Sequence, residues 1–382
     1  MTKQEEKILE IIKSNPTIEQ SDIADILGIS RSTVAVHISN LQKQGYIKGK
    51  GYIINNDSYV LGIGAANVDV YGKSRIKIRT HYDHPADISS NVGGVTKNIL
   101  TNLSKLNTST KLITAVGDDG YGTTIFNDCK LCNIDTSDII HIKGQSSGVF
   151  LQVQDENNDM YLAICDMSVL EKLTPEYIAS KKNVLLNAKV VLLDPSLRLD
   201  TIETIIDICK NKVPLYMDPI SDNYALKIKP YIGEFDTVKP NKTELESLSG
   251  ITIKSDDDLY KACDRLLNKG VKNIYVSMGK DGILYMNANG NRIKRKLKPV
   301  TKMVNASGAG DAAMAAIIYG TINNFDVEKT IDYGLAAGIA AILSPETINS
   351  QMSVELLNKI LKENKKWITK IIYQSHLKSK KQ

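Results

Sequence analysis

From Tyr59 onward the chain alternates short apolar runs with amphipathic stretches, and this alternation limits the fold more than any other feature. It predicts strands at Tyr59–Ile63, Lys111–Val116, Val190–Leu193, Leu215–Met217, Thr237–Val238 and Asn273–Val276. Helices are expected between them, among others at Lys97–Leu106, Thr201–Lys210, Lys242–Leu248 and Leu259–Lys269. Alternation of this kind argues for a mostly parallel sheet covered by helices on both faces. In such a sheet a ligand collects beyond the carboxyl ends of the strands.

Chemistry-bearing residues follow several of those strands. Asn67-Val68-Asp69 sets an amide beside a carboxylate, which together donate to and accept from adjacent sugar hydroxyls. Gly93-Gly94, followed by Asn98, offers close backbone approach and a further polar side chain. Asn241 and Glu244 stand three apart at a helix start, so both can face one point and hold the waters of a magnesium ion near phosphate. The run Asn305-Ala306-Ser307-Gly308-Ala309-Gly310-Asp311 then opens into an alanine-rich helix. A small-residue turn at a helix start presents unpaired N–H groups and the positive end of the helix dipole to an anion. Asp311 is placed to take a proton from a hydroxyl attacking a phosphoryl group whose charge the neighbouring amides stabilise. Taken singly, these features read as a turn cap, a packing glycine pair, a solvated helix start and close helix packing.

Ahead of this region lies a different pattern. Residues 3–14 carry Ile8, Leu9, Ile11 and Ile12 at helical spacing, and Asn15-Pro16 ends that helix. A second short helix follows, and Gly28-Ile29-Ser30 is a tight turn whose Ser30 caps a third helix with Val34, Ile38 and Leu41 inward. Arg31, Ser32, Thr33, Ala35 and His37 lie on the other side, with side chains of the kind that reach base edges. A hairpin with a basic glycine tip, bearing Lys48 and Lys50, is expected over Tyr46–Ile54. Between Arg31 and Lys50 there are four basic residues and no acidic ones, whereas the net charge of the chain is only +5. Local basicity on a small module is the footprint of phosphate contact. The segment resembles a winged helix-turn-helix domain; a docking or dimerisation module is the alternative.

Length and composition exclude other classes. At 382 residues the chain has room for two domains, or for one large unit and an appendage. No apolar run approaches the ~20 residues that span a bilayer, and Met1–Glu6 lacks the apolar core of a secretory signal, so a cytoplasmic protein without membrane contact is expected. Five scattered cysteines do not form a disulfide framework, and Cys129-Lys-Leu-Cys132 has no second pair to complete a zinc site. Buried thiols are expected, with His81 and His84 at the surface and Lys378, Lys380 and Lys381 in a solvated tail.

Taken in order, Asn67/Asp69, Gly93-Gly94 with Asn98, Gly117-Asp118-Asp119-Gly120, Asn241/Glu244, Ser277–Gly282 and Gly308-Ala309-Gly310-Asp311 resemble the ribokinase-like (PfkB) carbohydrate and nucleoside kinases over about residues 59–350. The resemblance implies an α/β fold, a mostly parallel sheet sandwiched by helices with a small β lid, after the winged helix-turn-helix domain. Domains are expected at 1–56 and 57–365, with a basic tail at 366–382. It implies ATP-dependent phosphoryl transfer to a primary hydroxyl, with Asp311 as base and Gly308, Ala309 and Gly310 as anion hole. ATP would be held at Asn241, Ser277, Gly279, Gly282, Gly308 and Gly310, and magnesium through Asn241 and Glu244. Asn67, Asp69, Gly93, Gly94 and Asn98 would hold the acceptor.

The lid is expected from residues 70–90 and 142–166, with 155–159 as a hairpin tip. Ile63–Val70, Asn91–Val95, Tyr161–Met167 and Val304–Asp311 further resemble pseudouridine kinases, some of which carry an N-terminal helix-turn-helix. On that resemblance the 5′-hydroxyl of pseudouridine is the acceptor, with Ser147 and Asp166 as lid contacts and a homodimer as the assembly. Asn305 stands where many family members have Asp, which removes a charge from a region that supports a monovalent cation. Potassium activation, with Asn305, Ser344, Asn349 and Ser350 nearby, is left open. Open too are another sugar or nucleoside acceptor, and a ligand-sensing regulator that no longer phosphorylates.

Overall fold

In the computed structural model, which describes residues 1–48, 58–157, 159–298 and 303–364, the apolar runs become strands covered on both faces. The N-terminal module holds α1 (Lys3–Ser14), α2 (Gln20–Leu27) and α3 (Arg31–Lys43). The large domain continues with β1 (Val60–Ile63), β2 (Asn67–Ser74), β3 (Ala86–Gly93), α4 (Val95–Lys105), β4 (Thr110–Ile113), β5 (Ala115–Gly117), α5 (Gly120–Leu131), β6 (Ile134–Asp135), β7 (Ile140–Ile142), β8 (Val149–Gln154) and β9 (Met160–Asp166). Then come α6 (Pro175–Ser180), α7 (Lys182–Leu186), β10 (Val190–Leu193), α8 (Leu199–Cys209), β11 (Leu215–Met217), α9 (Asp222–Ile228), β12 (Thr237–Val238), α10 (Lys242–Ser249), α11 (Asp256–Leu267), β13 (Asn273–Ser277), β14 (Ile283–Asn287), β15 (Arg292–Arg295), α12 (Ala309–Ile322) and α13 (Val327–Ile342).

Nine strands form the main sheet in the order β15-β14-β13-β12-β11-β10-β1-β4-β6. Pairs from β6 to β13 are parallel, and the last two are antiparallel. Side chains alternate across it: Leu61, Ile63, Val191 and Leu193 enter one core, and Val60, Val190 and Leu192 the other. Burial on both faces is why these strands read as unbroken apolar runs. After β1 the chain moves to β4 and β6 on one side and later returns to β10 on the other. That reversal opens a crevice at the carboxyl ends of β1 and β10.

A second sheet, β3-β2-β8-β9, forms the lid. The strand expected at Lys111–Val116 is two strands, because the chain leaves the main sheet at Thr114 and β5 pairs with β7. The helix expected from Leu259 begins at Asp256, where Ser255 and Asp258 form a capping box. Cys129, Cys209 and Cys263 are buried, but Cys165 is exposed on edge strand β9, against the expectation of a buried thiol. Among the described residues there is no cluster of acidic, His and Cys side chains able to hold a metal, and no helix is long and apolar enough to cross a membrane.

The N-terminal module packs Ile8, Ile12, Ile23, Val34, Ile38 and Leu41 into its own core. Gly28 ends α2 at φ +63°, and Ser30 Oγ accepts the Thr33 N–H at 3.1 Å to start α3. The basic tip with Lys50, the 56/57 boundary and the tail 366–382 lie outside the described residues.

Candidate active site

Asn98 and Asp311 meet although 213 residues separate them: Asn98 Nδ2 donates to Asp311 Oδ2 at 2.9 Å. Each sits in the first turn of its helix, α4 and α12, and these helices pack together. Burial pushes the Asp311 carboxyl up to about 7; the Asp218 carboxylate adds to this, and the Asn98 bond opposes it. Asn98 Oδ1 is buried without a hydrogen-bond partner among the described residues. An orphaned buried acceptor beside a near-neutral carboxyl suits a bound hydroxyl.

Gly308 shapes the turn before α12. Its φ is +78°, and a Cβ there would stand 2.0 Å from Thr347 O, so the turn admits only glycine. Beyond it the first N–H groups of α12 have no intrahelical acceptor. Lys239 comes up against this turn, with Nζ 3.5 Å from where a Gly310 Cβ would be. Its ammonium is buried and paired with Asp218 Oδ2 at 3.0 Å. Burial works against the charge, yet Asp218 holds the Lys239 pKa above its ordinary value.

Asn241 and Glu244 form a capping box at the start of α10: Asn241 Oδ1 accepts the Glu244 N–H at 2.9 Å, and Glu244 Oε2 accepts the Asn241 N–H at 2.8 Å. The helix start is not solvated, since Glu244 is only 5% exposed. Burial, and then Asp218, push its carboxyl up to about 7. Ser277 joins this turn by its backbone, donating to Pro240 O at 2.9 Å. The adjoining Gly279 and Gly282 have φ of +57° and +91°.

On the lid side, Asn67 Nδ2 donates to Asp69 Oδ1 at 2.6 Å, and burial raises the Asp69 pKa. Gly93 lies flat under this carboxylate, where a Cβ would meet Asp69 Oδ2 at 2.1 Å. Gly94, at φ +101°, presses on Ala65 O in the same way. The glycine pair therefore packs closely, Gly93 against Asp69 of β2 and Gly94 against the Ala65-Ala66 turn before it.

Both lid contacts expected from sequence are corrected. Ser147 is buried and committed: its Oγ accepts the Gly117 N–H at 2.9 Å and donates to Asp119 Oδ1 at 2.6 Å. Asp166 caps the next turn, accepting the Ser168 N–H at 2.9 Å. Strand register also puts Asp166 with Val149 and Val68, on the face away from Asp69.

The residues considered for a monovalent cation make hydrogen bonds within the protein. Asn305 Oδ1 accepts from Ser307 N and its Nδ2 donates to Pro345 O. Asn349 Nδ2 donates to Ala340 O, Ser344 Oγ accepts from Glu346 N, and Ser350 O accepts from Lys105 Nζ. In the N-terminal module Arg31, Ser32, Thr33 and Lys48 are exposed. His37 instead turns toward α1, its Nδ1 3.7 Å from Glu5 Oε1, so its ring is partly withdrawn from the outer face.

Sequence reasoning missed Lys239, Asp218 and the buried Lys97, whose Nζ is 2.5 Å from Asp128 Oδ2. A signal existed for Asp218, a carboxylate directly after the apolar run Leu215–Met217.

The profile of pfkB family carbohydrate kinases matches residues 57–354, and that of winged helix-turn-helix DNA-binding domains matches residues 1–48. The uncharacterized sugar kinase YeiI of Escherichia coli (strain K12) is 32% identical over 355 residues, 93% of this chain and 98% of that protein. Pseudouridine kinase of the same organism is 29% identical over 297 residues, 78% of this chain and 94% of its own. Among solved structures, the ribokinase of Arabidopsis thaliana complexed with ribose and ATP superposes with a TM-score of 0.70 at 21% identity, covering 80% of this chain and 99% of that one.

Proposed function

The chain belongs to the pfkB family of carbohydrate kinases, and from that premise we propose that it transfers the γ-phosphoryl group of ATP to the 5′-hydroxyl of pseudouridine. The observation that carries the kinase reading is the Asn98–Asp311 pair at the mouth of the Gly308 turn. Similarity to a pseudouridine kinase at 29% identity, together with the motifs around Asp69 and Asp311, supports the acceptor.

Asn67 and Asp69 bind vicinal hydroxyls of the ribose, and Asn98 Oδ1 accepts a hydrogen bond from a further hydroxyl. Asp311, with its carboxyl at about 7, is balanced near neutrality between holding and taking the proton of the attacking hydroxyl. The N–H groups at the start of α12 face the charge that grows on the transferring phosphoryl group, and Lys239 adds a fixed positive charge beneath them.

Glu244 and Asp311 each lie within electrostatic reach of Asp218, and all three carboxyls face one buried ammonium, Lys239. This surplus of negative charge fits a divalent cation, with Glu244 and Asn241 holding its waters. A magnesium ion held there with the triphosphate would supply Lewis-acid charge.

We further propose that the N-terminal module binds DNA through Arg31, Ser32, Thr33 and Lys48, and that two copies of the chain pair through the outer lid face. Exposed Ile88, Leu162 and Ile164 support the pairing.

The experiment is ADP release by the purified protein with ATP and magnesium across pseudouridine, uridine, inosine, ribose and fructose, with and without potassium. Pseudouridine should give the highest kcat/KM. A preference for another acceptor moves the substrate and keeps the kinase, whereas no ADP with any acceptor leaves a ligand-sensing regulator.

A further inference from the structure

We propose that Phe150 and Cys165 of the lid form the wall that receives the acceptor's heterocycle and so separates nucleosides from free sugars. This rests on the kinase reading above.

The lid register carries the inference. Across β3-β2-β8-β9, Asn91, Asp69, Phe150 and Cys165 stand directly opposite one another. Directly opposed residues share a face of the sheet, so Phe150 and Cys165 lie on the side of Asp69 that looks into the site. Strands about 4.8 Å apart put Phe150 one step and Cys165 two steps from Asp69, a reach of roughly 10 Å. A pentose held at Asp69 does not extend so far, whereas a ring attached to it does.

The chemistry changes along this row. Asn91 and Asp69 are polar, while Phe150 and Cys165 offer an aromatic ring and a soft thiol, surfaces suited to a neutral planar group. Gln152, two residues along β8 on the same face, supplies an amide that can pair with the N–H and C=O edges of a heterocycle.

Cys165 is exposed, which leaves its side of the row open to a ligand.

The test follows alkylation of Cys165 by iodoacetamide in the full-length protein, read by peptide mass spectrometry, beside turnover of the same acceptors. A nucleoside that is phosphorylated should slow Cys165 labelling at least tenfold and leave half-exposed Cys132 unchanged, while ribose should alter the Cys165 rate less than twofold. Phe150→Ala should raise KM for that nucleoside about tenfold with kcat within threefold. A phosphorylated nucleoside that gives no protection, or equal protection by ribose, overturns the wall. Turnover confined to free sugars overturns it too while leaving the kinase intact, and no ADP with any acceptor removes the kinase reading itself.

Discussion

Asn98 Nδ2 donates to Asp311 Oδ2 at 2.9 Å, so the amide favours the ionised form of a carboxyl that burial pushes up to about 7. Asp311→Asn should lower kcat by about 10²- to 10⁴-fold, the usual contribution of a general base. Asn98→Ala should move the acid limb of kcat/KM upward by about one pH unit, since a hydrogen bond to a charged group is worth ~1.5–3 kcal/mol. Initial rates between pH 5.5 and 9 check both. A limb that stays in place would show that Asp311 is not the group being titrated.

Glu244 spends Oε2 on the Asn241 N–H, and burial beside Asp218 pushes its carboxyl up to about 7, so it is close to half-ionised at neutral pH. Glu244→Gln preserves the cap in shape but removes the charge. The magnesium concentration for half-maximal rate should rise about 10- to 100-fold, as for other groups that orient metal-bound water. Titration of the rate with magnesium at saturating acceptor measures it, and an unchanged midpoint would place the ion elsewhere.

Lys239 joins structure and chemistry, so its two roles need separating. Lys239→Met leaves Asp218 buried and unpaired, which should cost about 3–5 kcal/mol of stability. It should also lower kcat by roughly 10²-fold or more, as loss of a transition-state donor does. The double variant Lys239→Met with Asp218→Asn removes the orphaned charge and should recover most of the stability in urea unfolding. Recovery of turnover along with it would show that Lys239 only supports the fold.

The sheet was legible because both its faces are buried, so Val190–Leu193 and Leu215–Met217 stand out as apolar runs with unchanged limits. Asp311, Asp69 and Glu244 were legible because each follows a strand or opens a helix. Lid contacts were not, because side chains alternate and a slip of one residue turns a strand over. Asp166 and Cys165 are neighbours in sequence, yet only Cys165 shares the face of Asp69. Ser147 misled for another reason: its hydroxyl is spent on Gly117 and Asp119, contacts that only the folded loop brings near.

At the N-terminus, Ser30 Oγ lies 2.7 Å from Ser32 Oγ and 2.8 Å from Thr33 Oγ1, so the exposed start of α3 offers Arg31 as its charged group. Fluorescence anisotropy with DNA from upstream of the coding region should show binding that weakens with salt. Arg31→Ala should reduce the slope of log K against log salt by about one, the loss of one phosphate contact. Binding insensitive to salt, or none, would return the module to a docking role.

Stability should carry the same buried carboxyls with the opposite sign from a salt-bridged acid. Asp311 and Glu244 titrate at about 7 in the folded protein, against ordinary values of 3.8 and 4.5. Between those limits the folded state keeps protons that the unfolded chain has released, so unfolding free energy falls as pH rises from about 4 to 7. A tenfold difference in proton affinity between the folded and unfolded states corresponds to about 1.4 kcal/mol. In the ligand-free protein the melting temperature should therefore fall between pH 5 and 8, and by at least ~2 °C less in the variant with Asp311→Asn and Glu244→Gln together. Equal slopes in the two proteins would mean that these carboxyls are already ionised across the range, and Asp311 would then be too weak a base for the role assigned to it.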